Sequence, residues 1–445
     1  MKKFPSFKNK KILILGLGLL GRGIKDAIFF AEKGADVRIT DLKTADQLKE
    51  SLEKLKKYNF KFTLGEHKEQ DILEADLIIR NAAVPASSEF LKFAKKKKIP
   101  VDMDESLFAE YCPCPIIGIT GTRGKSTTTA LIGKILQNNL EFLKRKNVYV
   151  AGNIKGEATL PLIDKVTKDD LVVLELSSWQ LQGFGRKKIS PHISIVTNIY
   201  PDHLNSYKNM REYANDKKFI FLFQKKKDFC ILNEKNPYTK KMGPEVKSKL
   251  IWFSKKDVPK NWKLTMLGKH NLENASSAMA VGKILGLSKK QMQSSISEFP
   301  GLEHRLEFVK KLNNVNFIND TTSTTPIAGQ KALEAIPGPI ILIAGGASKN
   351  LILKDFAKTI VKKAKSVILL DGNATDALER DIKYFGGDHL IIGRFNDFNE
   401  AVTRAYDHSL PGDTILLSPG CASFGLFVNE FDRGEQFKKI VNKLQ

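Results

Sequence analysis

Between residues 116 and 129 the sequence reads Ile-Ile-Gly-Ile-Thr-Gly-Thr-Arg-Gly-Lys-Ser-Thr-Thr-Thr, a run whose glycines, lysine and hydroxyls suit a triphosphate. Gly121 and Gly124 let the backbone aim N–H groups at an anion, Lys125 reaches the β- and γ-phosphates, and the hydroxyl of Ser126 or Thr127 can ligate Mg²⁺. The spacing is a variant of the usual G-x-x-x-x-G-K-[ST]: Ile119 stands where its first glycine belongs, with Gly118 one position earlier. The residue types predict a nucleoside triphosphate, with a chance glycine turn as the bland alternative.

Further along, Glu175 ends the apolar run Leu171-Val172-Val173-Leu174, and Asn198, Asp202 and His203 follow Ile193-Ser194-Ile195-Val196. Strand ends are where α/β sheets carry their sites, and a hard cation beside a triphosphate takes oxygen ligands with an occasional imidazole. Taken singly, Glu175 could cap a helix and His203 could be a satisfied structural histidine; together, beside a phosphate loop, they read as metal ligands. Nearer the start, Gly16-Leu17-Gly18-Leu19-Leu20-Gly21 follows the strand-like Lys11-Ile12-Leu13-Ile14-Leu15, with Asp41 about 20 residues past the last glycine. This fingerprint fits a nucleotide-sugar diphosphate, a redox cofactor or close helix and strand packing alone.

These groups need a scaffold that sets loops at strand ends. Residues 116–119 read as a buried strand and 125–136 carry apolar residues at helical spacing, so the phosphate loop lies at a helix N-terminus. Residues 10–41 read strand, glycine turn, helix, strand, with further strands at 75–79 and 99–101. Tyr111-Cys112-Pro113-Cys114-Pro115 interrupts any regular element. Beyond it lie strands at 170–176 and 192–198 and a helix after Leu267-Gly268-Lys269-His270-Asn271. From Phe299-Pro300-Gly301, strands at 315–318, 339–344, 366–370, 389–392 and 414–417 alternate with helices after Pro326, at 352–364, at 397–408 and at the end. The expected class is α/β in three domains: a Rossmann-like N-terminal domain over 1–113, a central P-loop ATPase-type domain over 114–302, and a C-terminal Rossmann-like domain over 303–445.

Composition narrows the setting. The 445 residues carry 72 basic and 49 acidic side chains, a net charge of +23, which raises a nucleic-acid-binding ATPase as a reading from another class. Its lysines fall in scattered clusters, at 95–98, 225–227 and 362–365, without a recognition motif, so they read as solvated faces that draw in polyanionic substrates. Four cysteines make no disulfide framework, no stretch has the length and apolarity of a membrane span, and residues 1–5 lack a signal-peptide core. A cytoplasmic protein with reduced thiols, no membrane insertion and no nucleic-acid partner is expected.

Six stretches, in order and spacing, resemble the Mur ligase family: Gly118-Ile119-Thr120-Gly121-Thr122-Arg123-Gly124-Lys125-Ser126-Thr127, Gly152-Asn153-Ile154, Leu174-Glu175-Leu176-Ser177-Ser178-Trp179-Gln180-Leu181, Asn198-Ile199-Tyr200-Pro201-Asp202-His203-Leu204, Gly268-Lys269-His270-Asn271-Leu272-Glu273-Asn274 and His304-Arg305. The likeness covers nearly the whole chain. The Glu175 segment and the glycine fingerprint resemble the branch that joins D-glutamate to UDP-N-acetylmuramoyl-L-alanine in peptidoglycan precursor synthesis. The resemblance implies a monomeric, ATP-dependent, ADP-forming amide ligase that proceeds through an acyl phosphate, with two Mg²⁺ ions. It implies ATP contacts from Gly121, Thr122, Arg123, Gly124, Lys125, Ser126, Thr127, Asn271, Asn274, Arg305 and Asp320. Lys125, Glu175, His203 and Lys217 would be catalytic, and Ser126, Glu175, His203 and Lys217 would hold metal, Lys217 as a carbamate with Lys218 one residue away. Gly18, Leu19, Leu20, Asp41, Asn153 and Ser177 would meet the UDP-substrate, and Thr324, Lys349 and Ser423 the amino acid.

The chain departs from the family pattern in places. Arg123 stands where asparagine or histidine is usual, and Arg80-Asn81-Ala82 where Ser-Pro-Gly is common. Thr322 replaces a lysine, Gly425 an aspartate and Glu430 an aromatic residue. Another ligase of the superfamily, including a folylpolyglutamate-synthase-like enzyme with a different amino acid, and a dehydrogenase using the glycine fingerprint remain alternatives.

Overall fold

The computed structural model describes every residue except 1, 2, 20, 155–157, 204, 205 and 269. Seventeen strands among the described residues form three sheets, each built on runs of Ile, Val and Leu that are buried on both faces, as parallel sheets require. The first sheet holds β1 (Lys11–Leu15), β2 (Asp36–Asp41), β3 (Lys61–Leu64), β4 (Leu77–Arg80) and β5 (Val101–Asp102) in the order β3-β2-β1-β4-β5. The second holds β6 (Ile116–Thr120), β7 (Val148–Gly152), β8 (Leu171–Glu175), β9 (Ile193–Val196), β10 (Phe229–Asn233) and β11 (Lys249–Phe253) in the order β11-β10-β9-β6-β8-β7. Every pairing in these two sheets is parallel.

The third sheet comprises β12 (Glu307–Leu312), β13 (Val315–Asn319), β14 (Ile340–Gly345), β15 (Ala364–Leu370), β16 (Ile391–Phe395) and β17 (Thr414–Leu417), in the order β12-β13-β17-β14-β15-β16. Its one antiparallel pair is β12 with β13. Asn313 and Asn314, both at positive φ, make the two-residue turn between them. The expected alternation of strand and helix thus gains an edge hairpin, as well as a helix at Thr375–Tyr384 that apolar spacing alone did not separate from its loops.

The chain forms two compact units, residues 1–260 with 272–296 and residues 261–271 with 297–445. The first unit carries two sheets on one continuous core, from Ile14, Phe30 and Phe108 to Val172, Leu174 and Phe184. In each of these sheets the order of strand addition reverses beside its first strand, β1 or β6, so both glycine turns emerge at a switch point, where open α/β sheets leave a crevice. No described helix is long and apolar enough to cross a membrane.

Candidate active site

The phosphate loop is fixed from the neighbouring strand. β9 ends beside β6, and Thr197 and Asn198, just beyond it, grip the loop: Thr122 N donates to Asn198 O at 2.8 Å and Arg123 N to Asn198 Oδ1 at 2.9 Å. Thr197 Oγ1 and Asn198 Nδ2 donate in return to Arg123 O, at 2.7 and 3.1 Å. Gly121 has φ of 147°, and a Cβ there would lie 1.9 Å from Thr197 Oγ1, so this contact requires glycine. With Thr122 and Arg123 N–H already engaged, the donors left for phosphate are those at the start of the helix Lys125–Gln137, which has no acidic residue in its first turn and no side-chain cap.

Two amines converge on one carbonyl of this loop. Lys125 Nζ donates to Gly121 O at 3.1 Å and to Thr122 O at 3.2 Å, and Lys217 Nζ donates to the same Gly121 O at 3.0 Å. Lys217, on the helix Met210–Lys218, is buried over the Tyr213 ring, 4.7 Å from its centroid. Among the described residues no carboxylate lies within ion-pair distance of its Nζ. Burial, then the neighbouring Lys125 charge, hold its pKa well below the ordinary lysine value, against the more distant Asp202, Asp216 and Glu175. The adjacent Lys218 differs in kind, since it pairs with Glu245 at 2.6 Å.

Glu175 is buried at the end of β8, beside β6. Asn153, at the end of β7, donates its N–H to Glu175 O at 2.8 Å and its side-chain Nδ2 to Oε1 at 3.1 Å. Among the described residues Oε2 has no hydrogen-bond donor, the condition of a carboxylate that a divalent cation would complete. His203 sits at φ 56° with its ring 4.6 Å from that of Trp179, and its Nε2 lies 3.7 Å from Asp202. Burial lowers its pKa, Asp202 opposes this, and Lys217, Lys125 and Arg123 lower it further, leaving a neutral imidazole fit to ligate. The oxygen donors of Glu175 and the loop hydroxyls, with a neutral imidazole, suit Mg²⁺ with a triphosphate.

Of the other residues expected to bind ATP, Asn274 packs on Gly124, where a Cβ would lie 2.3 Å from Asn274 Oδ1. The Arg123 side chain is exposed and makes no hydrogen bond among the described residues. Ser126 and Thr127 are half-buried at the helix start.

The glycine turn after β1 is organised differently. Asp41, at the end of β2, is buried and accepts from Gly18 N and Lys43 N, both at 2.9 Å, so it shapes the turn from within. Leu19 is 59% exposed, Asn81 lies over Gly16, and Leu20 falls outside the described residues. Ser177 caps the helix Ser178–Lys187 in a reciprocal capping box with Gln180.

In the second unit, Asp320 follows β13 and is buried, accepting from Ser323 Oγ, from Ser418 Oγ at 2.8 Å and from Leu306 N at 3.1 Å; burial pushes its pKa up to about 6. Arg305 is exposed, and Asn271 Nδ2 donates to Leu267 O at 2.7 Å. Lys349 Nζ donates to Thr324 Oγ1 at 2.8 Å, and both residues line a small cavity with Cys421 and Gly420; Ser423 is buried nearby in sequence. The gripping role of Thr197 and the charge cluster around Arg22 were not read from the sequence. A basic residue at the first position of a helix, against the helix dipole, was a signal for the latter.

Comparison with known proteins places this geometry. Models described as "Mur ligase MurD-like, N-terminal domain", "Mur ligase middle domain" and "Mur ligase, glutamate ligase domain" match residues 10–102, 119–263 and 304–421. The chain is 37% identical over 464 residues to the UDP-N-acetylmuramoylalanine–D-glutamate ligase of Roseiflexus sp. (strain RS-1), covering 97% of this chain and 98% of that one. It is 36% identical over 471 residues to the enzyme of the same name from Borreliella afzelii (strain PKo), covering 99% and 100%. In fold it is similar to the UDP-N-acetylmuramate-alanine ligase MurC of Thermotoga maritima, with a TM-score of 0.60, 18% identity and coverage of 98% and 99%. MurF ligase of the same organism, solved in complex with ADP, gives a TM-score of 0.59 at 18% identity, covering 98% and 96%.

Proposed function

The chain belongs to the Mur ligase family, and we propose that it joins D-glutamate to UDP-N-acetylmuramoyl-L-alanine, converting ATP to ADP and phosphate. Membership decides between the readings left open by the sequence in favour of the ligase. The substrate's alanyl carboxylate attacks the γ-phosphorus, the bond to the bridging oxygen of ADP breaks, and an acyl phosphate forms. The amine of D-glutamate then attacks the acyl carbon, and the tetrahedral intermediate expels phosphate to leave the amide. Charge gathers on phosphoryl oxygens in both steps, so cations and backbone N–H groups carry the catalysis.

The observation that carries this reading is the meeting of Lys125 and Lys217 on Gly121 O beside the Glu175 and Asn153 pair. Lys125 swings from its carbonyls to the γ-phosphate, and the N–H groups at the helix start cradle the phosphates. Ser126 and Glu175 would hold one Mg²⁺, and His203 with Lys217 a second; such ions would neutralise charge on the phosphoryl oxygens. CO₂ would add to the Lys217 amine, whose charge burial disfavours, forming an N–C bond with release of a proton and so turning a nitrogen into an oxygen ligand. Asn271, Asn274, Arg305 and Asp320 serve ATP. Gly18, Leu19, Leu20, Asp41, Asn153 and Ser177 serve the UDP-substrate, Asp41 by holding the turn.

Residues 1–113 form the UDP-sugar domain, 114–302 the ATP domain and 303–445 the amino-acid domain of a cytoplasmic monomer. In the last, Lys349, steadied by Thr324, pairs with the side-chain carboxylate of D-glutamate, and Ser423 adds a polar contact; this supports D-glutamate despite Thr322 standing at a position where lysine is common. ADP release measured with UDP-N-acetylmuramoyl-L-alanine and a panel of amino acids tests the reading. D-glutamate should give the highest kcat/KM. ADP release indifferent to the nucleotide-sugar overturns the assignment, and preference for another amino acid overturns its acceptor half.

A further inference from the structure

Arg22 opens the helix Arg22–Glu32, directly after the glycine turn. A cation there meets the positive end of the helix dipole, and this one is largely buried, so it needs anions around it. They come from the helix Asp104–Tyr111: Nη1 pairs with Glu105 Oε1 at 2.8 Å, and Nε lies 3.9 Å from Asp104 Oδ2. The third arm, Nη2, donates to Gly152 O at 2.8 Å. Burial alone would lower the Arg22 pKa, but Glu105, then Asp104, Asp26 and Glu175, outweigh it and raise it.

These contacts close a ring. Gly152 precedes Asn153, which grips Glu175 through both its N–H and its side chain. Two residues past Glu175, Ser177 N donates to Gln180 Oε1 at 2.8 Å, and Gln180 Nε2 donates to Glu105 Oε1, the same oxygen that Arg22 holds. Arg22 therefore touches the end of β7 directly and the segment after β8 through Glu105 and Gln180. Between them these two strand ends present Asn153, Glu175 and Ser177. Only a guanidinium offers donors in three fixed directions at once, so lysine cannot replace it here.

We propose that Arg22 is a positioning residue for Glu175, tying the glycine turn of the first sheet to the carboxylate that faces the phosphate loop of the second. The role rests on the ligase reading for what binds at each end, and on the ring alone for the coupling. A loosened ring leaves Glu175 in place in sequence but misaimed, and such supporting contacts typically change metal affinity or turnover by about 10- to 100-fold.

The test uses the full chain in three forms: wild type, Arg22→Lys, and Arg22→Met with Glu105→Gln, which removes the carboxylate that pairs most closely with Arg22 and so limits the cost to folding. Mn²⁺ binding is read by electron paramagnetic resonance in the presence of a non-hydrolysable ATP analogue, alongside Tm, kcat and both KM values. The expected result is about a tenfold or greater loss of Mn²⁺ affinity and a fall in kcat, with KM for ATP within about threefold of wild type, and no rescue by lysine. Folded variants with wild-type Mn²⁺ affinity and kcat overturn the proposal; should the double variant not fold, Arg22→Lys decides by the same two readings. If wild type releases no ADP in response to the nucleotide-sugar while Mn²⁺ binding still depends on Arg22, the ligase reading fails and the coupling stands.

Discussion

Two glycine turns occupy equivalent places in this molecule, each leaving the first strand of a parallel sheet at its switch point and entering a helix. After β1 the protein supplies its own anion: Asp41 accepts from Gly18 N and Lys43 N. After β6 it supplies neutral acceptors, the two oxygens of Asn198, and sets the amines of Lys125 and Lys217 against one carbonyl. A turn that already holds a carboxylate binds a ligand by shape and by the edges left open. A turn that sets a lysine against its own carbonyls at a helix start is built to receive an anion. Similar glycine spacing therefore serves different chemistry, and the difference is written largely in residues far along the chain, 23 positions from Gly18 to Asp41 and 96 from Gly121 to Lys217.

The largest separation between the turns is expected on truncating the charge of the second. Lys125→Ala should reduce kcat/KM by about 10³-fold, since the lysine acts where phosphoryl charge develops. Steady-state ADP release at saturating nucleotide-sugar measures it, and a loss under tenfold would mean the helix N-terminus alone holds the triphosphate. Lys217→Met should follow, with a fall of about 10²-fold. Protein equilibrated with ¹³C-bicarbonate should show a bound carbamate carbon that persists in Lys218→Met and vanishes in Lys217→Met. Its persistence in both would move the modified amine elsewhere.

What the sequence made legible follows the same division. The phosphate loop, Glu175 and His203 were readable because each rests on a local pattern, an apolar strand ending in a polar group. The three-domain α/β plan was readable from alternating strands and helices, although β12 was not: it is a half-exposed edge strand, and its cue was the Asn313-Asn314 pair suited to a tight hairpin. Asp41 was found by spacing, but spacing cannot tell a carboxylate that faces a ligand from one engaged by the turn's own N–H groups. The ring through Arg22, Glu105 and Gln180 was out of reach, because its members come from three elements that meet only in the folded core.

Asp41→Asn tests the first turn. An amide can accept one of the two N–H bonds but turns its own donor toward the other, leaving a buried group unsatisfied at about 1–3 kcal/mol. KM for the nucleotide-sugar should rise about tenfold, an equivalent of about 1.4 kcal/mol, with KM for ATP unchanged. A matching rise in KM for ATP would show that the two turns are not independent.

The smallest effect is expected at Arg123, and it sharpens the contrast most finely. Its backbone is pinned, with the N–H on Asn198 Oδ1 and the carbonyl held by Thr197 and Asn198, while its guanidinium is exposed at the loop's mouth. An exposed cation near phosphate gains little, about 0.5–1 kcal/mol at low salt, because water and ions screen it. Arg123→Ala should therefore raise KM for ATP about two- to fivefold, leave kcat unchanged, and lose its effect near 0.5 M salt, in line with screening over only a few ångströms. A salt-insensitive fall in kcat would mean that the guanidinium enters the desolvated site as phosphoryl charge develops. The second turn would then carry two working cations, Lys125 and Arg123, and the replacement of a neutral residue by arginine would be part of the catalytic apparatus.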